Sequence, residues 1–381
     1  MAVVAHVGED RLRERSLSLP QLRRLVAASR AGGGFAHPRV CTLAINAFAR
    51  HQRWREPLQL LEGLREDNLE QNTITCNVAI SACQRGEAWR QSLRVLRQMQ
   101  RVGVQTNAIS HGATISACEK GGSWRDALGI LAEACARALQ ANVIMYSSTM
   151  SACKDGETWD LALALLREAR RLLIEANLVA YSAVISAGER AAAWEPAVLT
   201  LLEIRRSHLE PDSVACGAAI SACGRGEAWQ LALALLADMP ETALQADVTA
   251  YSAAISACGR AREWRRASAL FAELKRLRLE PDVICYGAVI NAFEEGRAWQ
   301  QALGLLEEMR MERAQANVIA YNAAVSACEK CGEWRQALAL LAAMPRQHLE
   351  RDVVTCNAAV SACEKGLEWQ HSVVVLVGMQ S

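Results

Sequence analysis

The chain has 381 residues, 51% of them hydrophobic, and a formal net charge of +1. Near-neutrality excludes a polycation that binds any acid indiscriminately, and no apolar run is long enough for a membrane-spanning helix. Length alone suggests two or three ordinary domains. The tryptophans overrule that expectation. Trp54, Trp89, Trp124, Trp159, Trp194, Trp229, Trp264, Trp299, Trp334 and Trp369 are the full set, and each follows the last by 35 residues. A fixed period of this size marks a tandem array in which every unit buries its apolar face on its neighbours.

Residues 1–37 precede the periodic region. Arg11, Arg13, Arg15, Arg23, Arg24 and Arg30, with Ser16, Ser18 and Ser29 among them, fit a transit peptide, which is rich in Arg and Ser. Glu9, Asp10 and Glu14 argue the other way. Leu19 to Ala28 reads equally as a capping helix over the first copy, joined to it through Ala31, Gly32, Gly33 and Gly34. Both readings stay open.

The copies begin at Pro38, Thr73, Ala108, Val143, Leu178, Ser213, Val248, Val283, Val318 and Val353, and the tenth stops at Ser381 after 29 residues. The copy from Val318 to Asp352 shows the unit. It opens with VIAYNAAVSACEK, a stretch of small residues. Cys331, Gly332 and Glu333 interrupt it, and Gly86, Gly121, Gly156, Gly226, Gly296 and Gly366 stand at this turn in other copies. Glycine here reads as a helix stop. Trp334, Ala337, Leu338, Leu341 and Met344 then follow helical spacing of three and four, which predicts an amphipathic second helix. The unit is a helix–turn–helix and the stack an α-solenoid. The tryptophan reads as a packing anchor between copies.

Seven of the 14 cysteines share one repeat position (Cys83, Cys118, Cys153, Cys223, Cys258, Cys328, Cys363) and four share another (Cys41, Cys76, Cys216, Cys356). Equivalent positions lie too far apart for disulfides, so the thiols read as small buried apolar groups in a reducing compartment. Cys328 and Cys331 form one isolated Cys-x-x-Cys, with no second pair or histidine cluster beside it. No metal site and no cofactor are expected.

The period, the Tyr-Asn near the start of the unit and the Asp at its end resemble the pentatricopeptide repeat family, over residues 38–381. The tetratricopeptide repeat has a period of 34 and places its tryptophan in the first helix, whereas here tryptophan opens the second. The chain also departs from the pentatricopeptide pattern in that tryptophan, in keeping a proline before the last residue only at Pro211 and Pro281, and in having Tyr as fourth residue only at Tyr146, Tyr181, Tyr251, Tyr286 and Tyr321. The resemblance implies an all-α, right-handed superhelical α-solenoid of about ten helix–turn–helix repeats that binds single-stranded RNA as a monomer, one base per repeat. It implies P-type architecture, parallel binding with the first copy at the RNA 5′ end, and residence in a chloroplast or mitochondrion.

Four positions bear on that function, each with a plainer reading. The second residue is Ile74, Ile109, Ile144, Val179, Val214, Ile284, Ile319 or Val354, with Arg39 and Thr249 as exceptions. These side chains either sandwich a base between copies or pack the first turn. The fifth residue varies: Thr42, Asn77, Gly112, Ser147, Ser182, Gly217, Ser252, Gly287, Asn322 and Asn357. Asn, Ser and Gly are poor inside helices, so this is either a readout site or an unselected solvated face. The last residue is Asn72, Asn107, Asn142, Asn177, Asp212, Asp247, Asp282, Asn317 or Asp352. Helix capping alone explains these, but not why Ser and Thr never appear. The thirteenth residue is Arg50, Arg85, Lys120, Arg190, Arg225, Arg260, Lys330 or Lys365, broken by Asp155 and Glu295. It complements the helix dipole, or it forms a track for phosphates.

Asp only accepts hydrogen bonds, which suits the ring N–H of G or U. Asn also donates, which suits the ring lone pair of A or C. A short Ser or Thr at the fifth residue leaves room for a purine, and Asn favours a pyrimidine. By these rules, which match the pairing known for the resembled family, the first nine copies read A, C or U, unassigned, A, G, unassigned, G, unassigned and U. The expected function is sequence-selective RNA binding in organellar RNA processing, stabilisation or translation, with other RNA-processing proteins as further partners. The alternative is a protein-interaction scaffold. With no deaminase signature and no carboxylate cluster outside the repeat, no enzyme is expected.

Overall fold

The structure, a computed structural model, describes residues 19–31, 38–51, 53–66, 72–154, 158–207, 209–241, 244–312, 317–347, 349–367 and 370. Trp369, Asp155 and Gly156 lie outside these, as does the side chain of Arg39. The described residues form helices and no strands, and no helix is long and apolar enough to cross a membrane.

The helices group into two compact units, Met1–Ala187 and Gly188–Ser381. In the first unit the helix pairs are Pro38–Arg50 with Arg55–Glu66, Thr73–Arg85 with Trp89–Val102, Ala108–Lys120 with Trp124–Ala136, and Val143–Cys153 with Trp159–Arg171. In the second they are Ser213–Arg225 with Trp229–Glu241, Val248–Arg260 with Trp264–Arg276, Val283–Glu295 with Trp299–Met311, and Val318–Cys331 with Trp334–Ala343. Trp194–Arg206 precedes these pairs and Val353–Lys365 follows them. Leu178–Arg190 runs through the boundary. Within each unit a first helix packs on the first helix of the next copy, on its own second helix and on the second helix before it.

From Thr73 onward each first helix begins at the residue that opens its copy, because the Asn or Asp before it is an N-cap. The small residues that follow let first helices approach one another. Ala82 and Cys83, Ala222 and Cys223, and Ala327 and Cys328 have no exposed surface. None of the 14 cysteines forms a disulfide, and burial pushes the thiols of Cys83, Cys118 and Cys328 up to about 12. These sulfurs pack as small hydrophobes.

The turn glycines stand at the helix stop expected of them, as the C-cap residues Gly86, Gly121, Gly226, Gly296 and Gly366, but a left-handed backbone is not what requires glycine there. Gly86, Gly121, Gly226 and Gly366 have negative φ. The left-handed residue is the next one in each case: Glu87, Gly122, Glu227 and Leu367. Glycine is required because the tryptophan of the preceding copy lies against it. A Cβ on Gly86 would overlap the Trp54 indole, and the same holds for Gly121 with Trp89, Gly226 with Trp194, Gly296 with Trp264 and Gly366 with Trp334. The indole therefore anchors one copy on the turn of the next. Among the turns whose residues are described, the copy at Val318 alone follows the simpler plan, with a helix running to Cys331 and Gly332 left-handed at φ 75°.

Met344 falls just past the second helix, in a 3-10 turn at Met344–Gln347. Pro345 has no N–H to continue the α pattern, and the Leu341 carbonyl instead accepts from Arg351 Nε at 3.1 Å. At the N-terminal side a helix spans Leu19–Ala31, contacts Pro38–Arg50 and buries Leu22 completely. Arg23 pairs with Glu56 at 2.5 Å.

Candidate nucleic-acid interface

The last residue of each copy caps the helix that follows. A side-chain oxygen accepts from the backbone N–H three residues on: Asn72 at 2.8 Å, Asn107, Asn142 and Asn177 at 3.0 Å, Asn317 at 2.9 Å, Asp212, Asp282 and Asp352 at 2.7 Å, and Asp247 at 2.9 Å. In every case the capping atom is Oδ1. The second terminal atom remains: Nδ2, a donor, in Asn, and Oδ2, an acceptor, in Asp. The cap fixes the side chain, and the residue type sets the polarity of the outward atom. Ser or Thr would cap equally well but would have no second terminal atom left. Capping and readout are thus compatible in one residue, and that excludes the hydroxyl residues.

The fifth residue meets the last across the 30 residues that separate them. Asn77 Nδ2 donates to Asn107 Oδ1 at 3.3 Å, and Asn322 Nδ2 donates to Asp352 Oδ2 at 2.8 Å. Burial alone would raise the Asp352 pKa. Hydrogen bonds from the Thr355 hydroxyl, the Thr355 N–H and Asn322 outweigh it and hold the carboxyl below its ordinary value, so it stays an ionised acceptor. The shorter Ser147 and Ser182 hydroxyls bond their own helix, donating to Ile144 O and Leu178 O. Ser252 is buried and Asn357 exposed. Gly287 faces open space, and a Cβ on Gly112 would just touch Met145.

The second residues are exposed. Ile74, Ile109, Ile319 and Val214 stand 65%, 66%, 65% and 65% open, and Ile144, Val179, Ile284 and Val354 resemble them. First-turn packing would have buried these side chains, and it has not. A groove of about 520 Å³ opens between the second and third copies, bounded by Ile74 and Ile109, with Asn77 and Asn107 in its lining. Second, fifth and last residues therefore meet around one space.

The thirteenth residues are less uniform. Arg50, Arg85, Lys120, Arg190, Arg225 and Arg260 are exposed at the ends of first helices. Arg260 donates to Gly224 O at 2.8 Å, and burial followed by the nearby Arg225 charge lowers its pKa. Lys330 pairs with Glu294 at 3.1 Å and Glu295 at 2.8 Å, and Lys365 with Glu329 at 3.0 Å. Towards the C-terminal end the cations are already balanced.

One set of residues escaped the sequence reading. The third residue of a copy reaches back to the readout pair before it. Ser110 Oγ donates to Asn77 Oδ1 at 2.6 Å, Thr355 Oγ1 to Asn322 Oδ1 at 2.5 Å, and Thr42 and Thr75 share a bond at 2.9 Å. The signal was present: a hydroxyl at the third residue occurs only after Thr42, Asn77 or Asn322. Copies with Ser or Gly at the fifth residue are followed by Met145, Ala180, Ala215, Ala250, Cys285 and Ala320.

The pentatricopeptide repeat domain matches at residues 59–121, 94–156, 234–295 and 304–365, and a single PPR repeat at 284–313, together more than half of the chain. The chain belongs to the pentatricopeptide repeat family. Among solved structures it is similar to PPR10 in complex with an 18-nt psaJ RNA element, with 17% identity, a TM-score of 0.74, and coverage of 93% of this chain and 52% of that one. It is also similar to PPR10 from maize, with 19% identity, a TM-score of 0.56, and coverage of 96% and 57%. These likenesses establish the helical-repeat fold. The chain spans about half the length of these proteins. No curated protein matches it significantly.

Proposed function

We propose that the chain binds single-stranded RNA, one base per copy, with selectivity set by the fifth and last residues. One observation carries this reading: the groove between exposed Ile74 and Ile109, with Asn77 and Asn107 in its lining. Apolar walls suit the faces of a base, and polar atoms between them suit its edge. The solved PPR10 complex with an 18-nt RNA element supports the same use of this fold. The chain acts here by occupying RNA or recruiting other factors rather than by catalysis, in a chloroplast or mitochondrion, as a monomer. Arg225 and Arg260 contribute phosphate contacts.

Selection from a random RNA pool tests the reading. The enriched sequence should carry A at the first base, a pyrimidine at the second, A at the fourth, G at the fifth and seventh, and U at the ninth. Ser252→Asn should move the seventh base from G to U and leave the rest. Absence of enrichment, or enrichment that Ser252→Asn does not shift, would overturn it.

A further inference from the structure

The second helix of the second copy, Trp89–Val102, carries Arg90, Arg94, Arg97 and Arg101 and no carboxylate. At 100° per residue the four fall within roughly 60° of one another, one per turn, over about 16 Å of helix. All four are exposed. Arg90 stacks on Trp89 at 5.1 Å, and among the described residues Arg94, Arg97 and Arg101 form no ion pair. Together they line a groove of about 540 Å³. Like charges one turn apart destabilise a helix, so the stripe has a cost that an anionic ligand removes.

We infer that this groove is a second nucleic-acid site, which binds the phosphate backbone of RNA lying outside the bases that the copies read. Its lining is Arg90, Arg94, Arg97, Arg101, Gln98 and one acid, Asp126, beside Trp89, Leu93 and Val102. A protein partner would want an apolar centre depleted of charge. Leu93 is nearly buried and Arg90 covers Trp89, so the exposed apolar surface is Val102, at the end of the stripe rather than its centre. Dense positive charge is the mark of phosphate-binding surfaces, and guanidinium forks fit phosphate oxygens.

The test compares a ten-nucleotide RNA of the read sequence with the same RNA extended by twenty uridines at either end. The wild type should bind an extended RNA more tightly. Arg94→Ala/Arg97→Ala/Arg101→Ala should bind short and extended RNA alike, with unchanged short-RNA affinity and a salt slope on extended RNA lower by roughly two. Alanine favours helix, and circular dichroism checks the fold. Equal loss on both RNAs, or no loss, overturns the inference. Release of the extension by polyglutamate but not by a uridine homopolymer would make the ligand a carboxylate and overturn it too. If the wild type binds no short RNA, the reading of the copies fails, and a thirty-nucleotide uridine homopolymer still tests the stripe.

A separate observation concerns selectivity and rests on the proposed reading. The hydroxyls of Ser110 and Thr355 lie within hydrogen-bond reach of the fifth-residue oxygens of Asn77 and Asn322 and of the last-residue Oδ1 of Asn107 and Asp352, bridging each pair, while the fifth-residue amide nitrogens point at the last residue. We infer that these are positioning residues that lock the fifth-residue Asn in its reading pose. Thr355→Ala should lower the preference for U over C at the ninth base by roughly fivefold, the ratio of one neutral hydrogen bond. Thr355→Ser should restore it, and other bases should be unaffected. Unchanged preference in Thr355→Ala, in a protein whose ninth-base choice still responds to Asn322→Ser, overturns the positioning role. If Asn322→Ser changes nothing either, the failure belongs to the reading itself.

Discussion

Asn322 donates its amide N–H to the Asp352 carboxylate at 2.8 Å, across 30 residues of chain. Asp352 meanwhile spends its other oxygen on the Thr355 N–H at 2.7 Å. One carboxylate thus caps a helix and presents a fixed acceptor to whatever approaches Asn322. At Asn107 the bonds differ: Asn77 Nδ2 donates to the same Oδ1 that caps the Ser110 N–H, and the second terminal atom is Nδ2, a donor. Stability and specificity are set by different atoms of a single side chain, so the array can change its reading without weakening its caps.

The indole-on-glycine contact should be sensitive to a single methyl group. Gly296→Ala places a Cβ inside the Trp264 ring, and overpacking of this kind costs about 1–3 kcal/mol. Thermal unfolding should show that loss. Trp264→Ala/Gly296→Ala should be no less stable than Trp264→Ala alone, because the clash has lost its partner. Additive losses would separate the glycine from the indole.

The phosphate track should be uneven. Arg225→Ala/Arg260→Ala should weaken RNA binding for all sequences and flatten the salt dependence. Lys330→Ala should do so less, because Glu294 and Glu295 already neutralise that lysine. Equal effects, read from titrations at several salt concentrations, would show that the ion pairs give way to RNA.

Thiol chemistry reports the core. At pH 8 the folded protein should react rapidly at no more than Cys135, which is exposed, and Cys331, which is half-buried. All 14 should react after denaturation. Burial raises the pKa of Cys76, Cys223 and Cys258 to about 11 and of Cys83, Cys118 and Cys328 to about 12. A raised acid pKa makes the folded state hold its proton more tightly. The associated stability is full below the ordinary thiol value of 9.0 and is lost as pH rises from there through the folded values. Alkaline unfolding should therefore shift upward in pH when Cys83 and Cys118 are replaced by Ala.

The helix starts were legible because the period and the capping residue agree: Thr73 follows Asn72 and Val283 follows Asp282. Gly226 was legible as a turn but not for its reason, since the Trp194 ring that requires it lies 32 residues away. Periodicity could not decide whether Ile74 was buried, because a residue in the first turn belongs to either face, and only its exposure settled that. The breaks in the thirteenth-residue track at Asp155 and Glu295 were legible, but the neutralisation of Lys330 and Lys365 was not, because the acids that pair with them sit on the preceding first helix. Thr355 alone carries no signal in the sequence. Its link to Asn322 shows in the sequence only when third and fifth residues of successive copies are read together.

Asp352→Asn tests the account most directly. Asn caps helices in this same chain, as Asn317 does at 2.9 Å, so the fold should hold and the melting temperature should move little. The outward Oδ2 becomes a donor, and Asn322 still leaves room only for a pyrimidine. Competition binding should show the ninth base changing from U to C, by a ratio that reflects the ~1–3 kcal/mol typical of a good base contact, with every other base as before. A folded, RNA-binding variant that keeps its preference for U would contradict the claim that the outward atom of the cap reads the base.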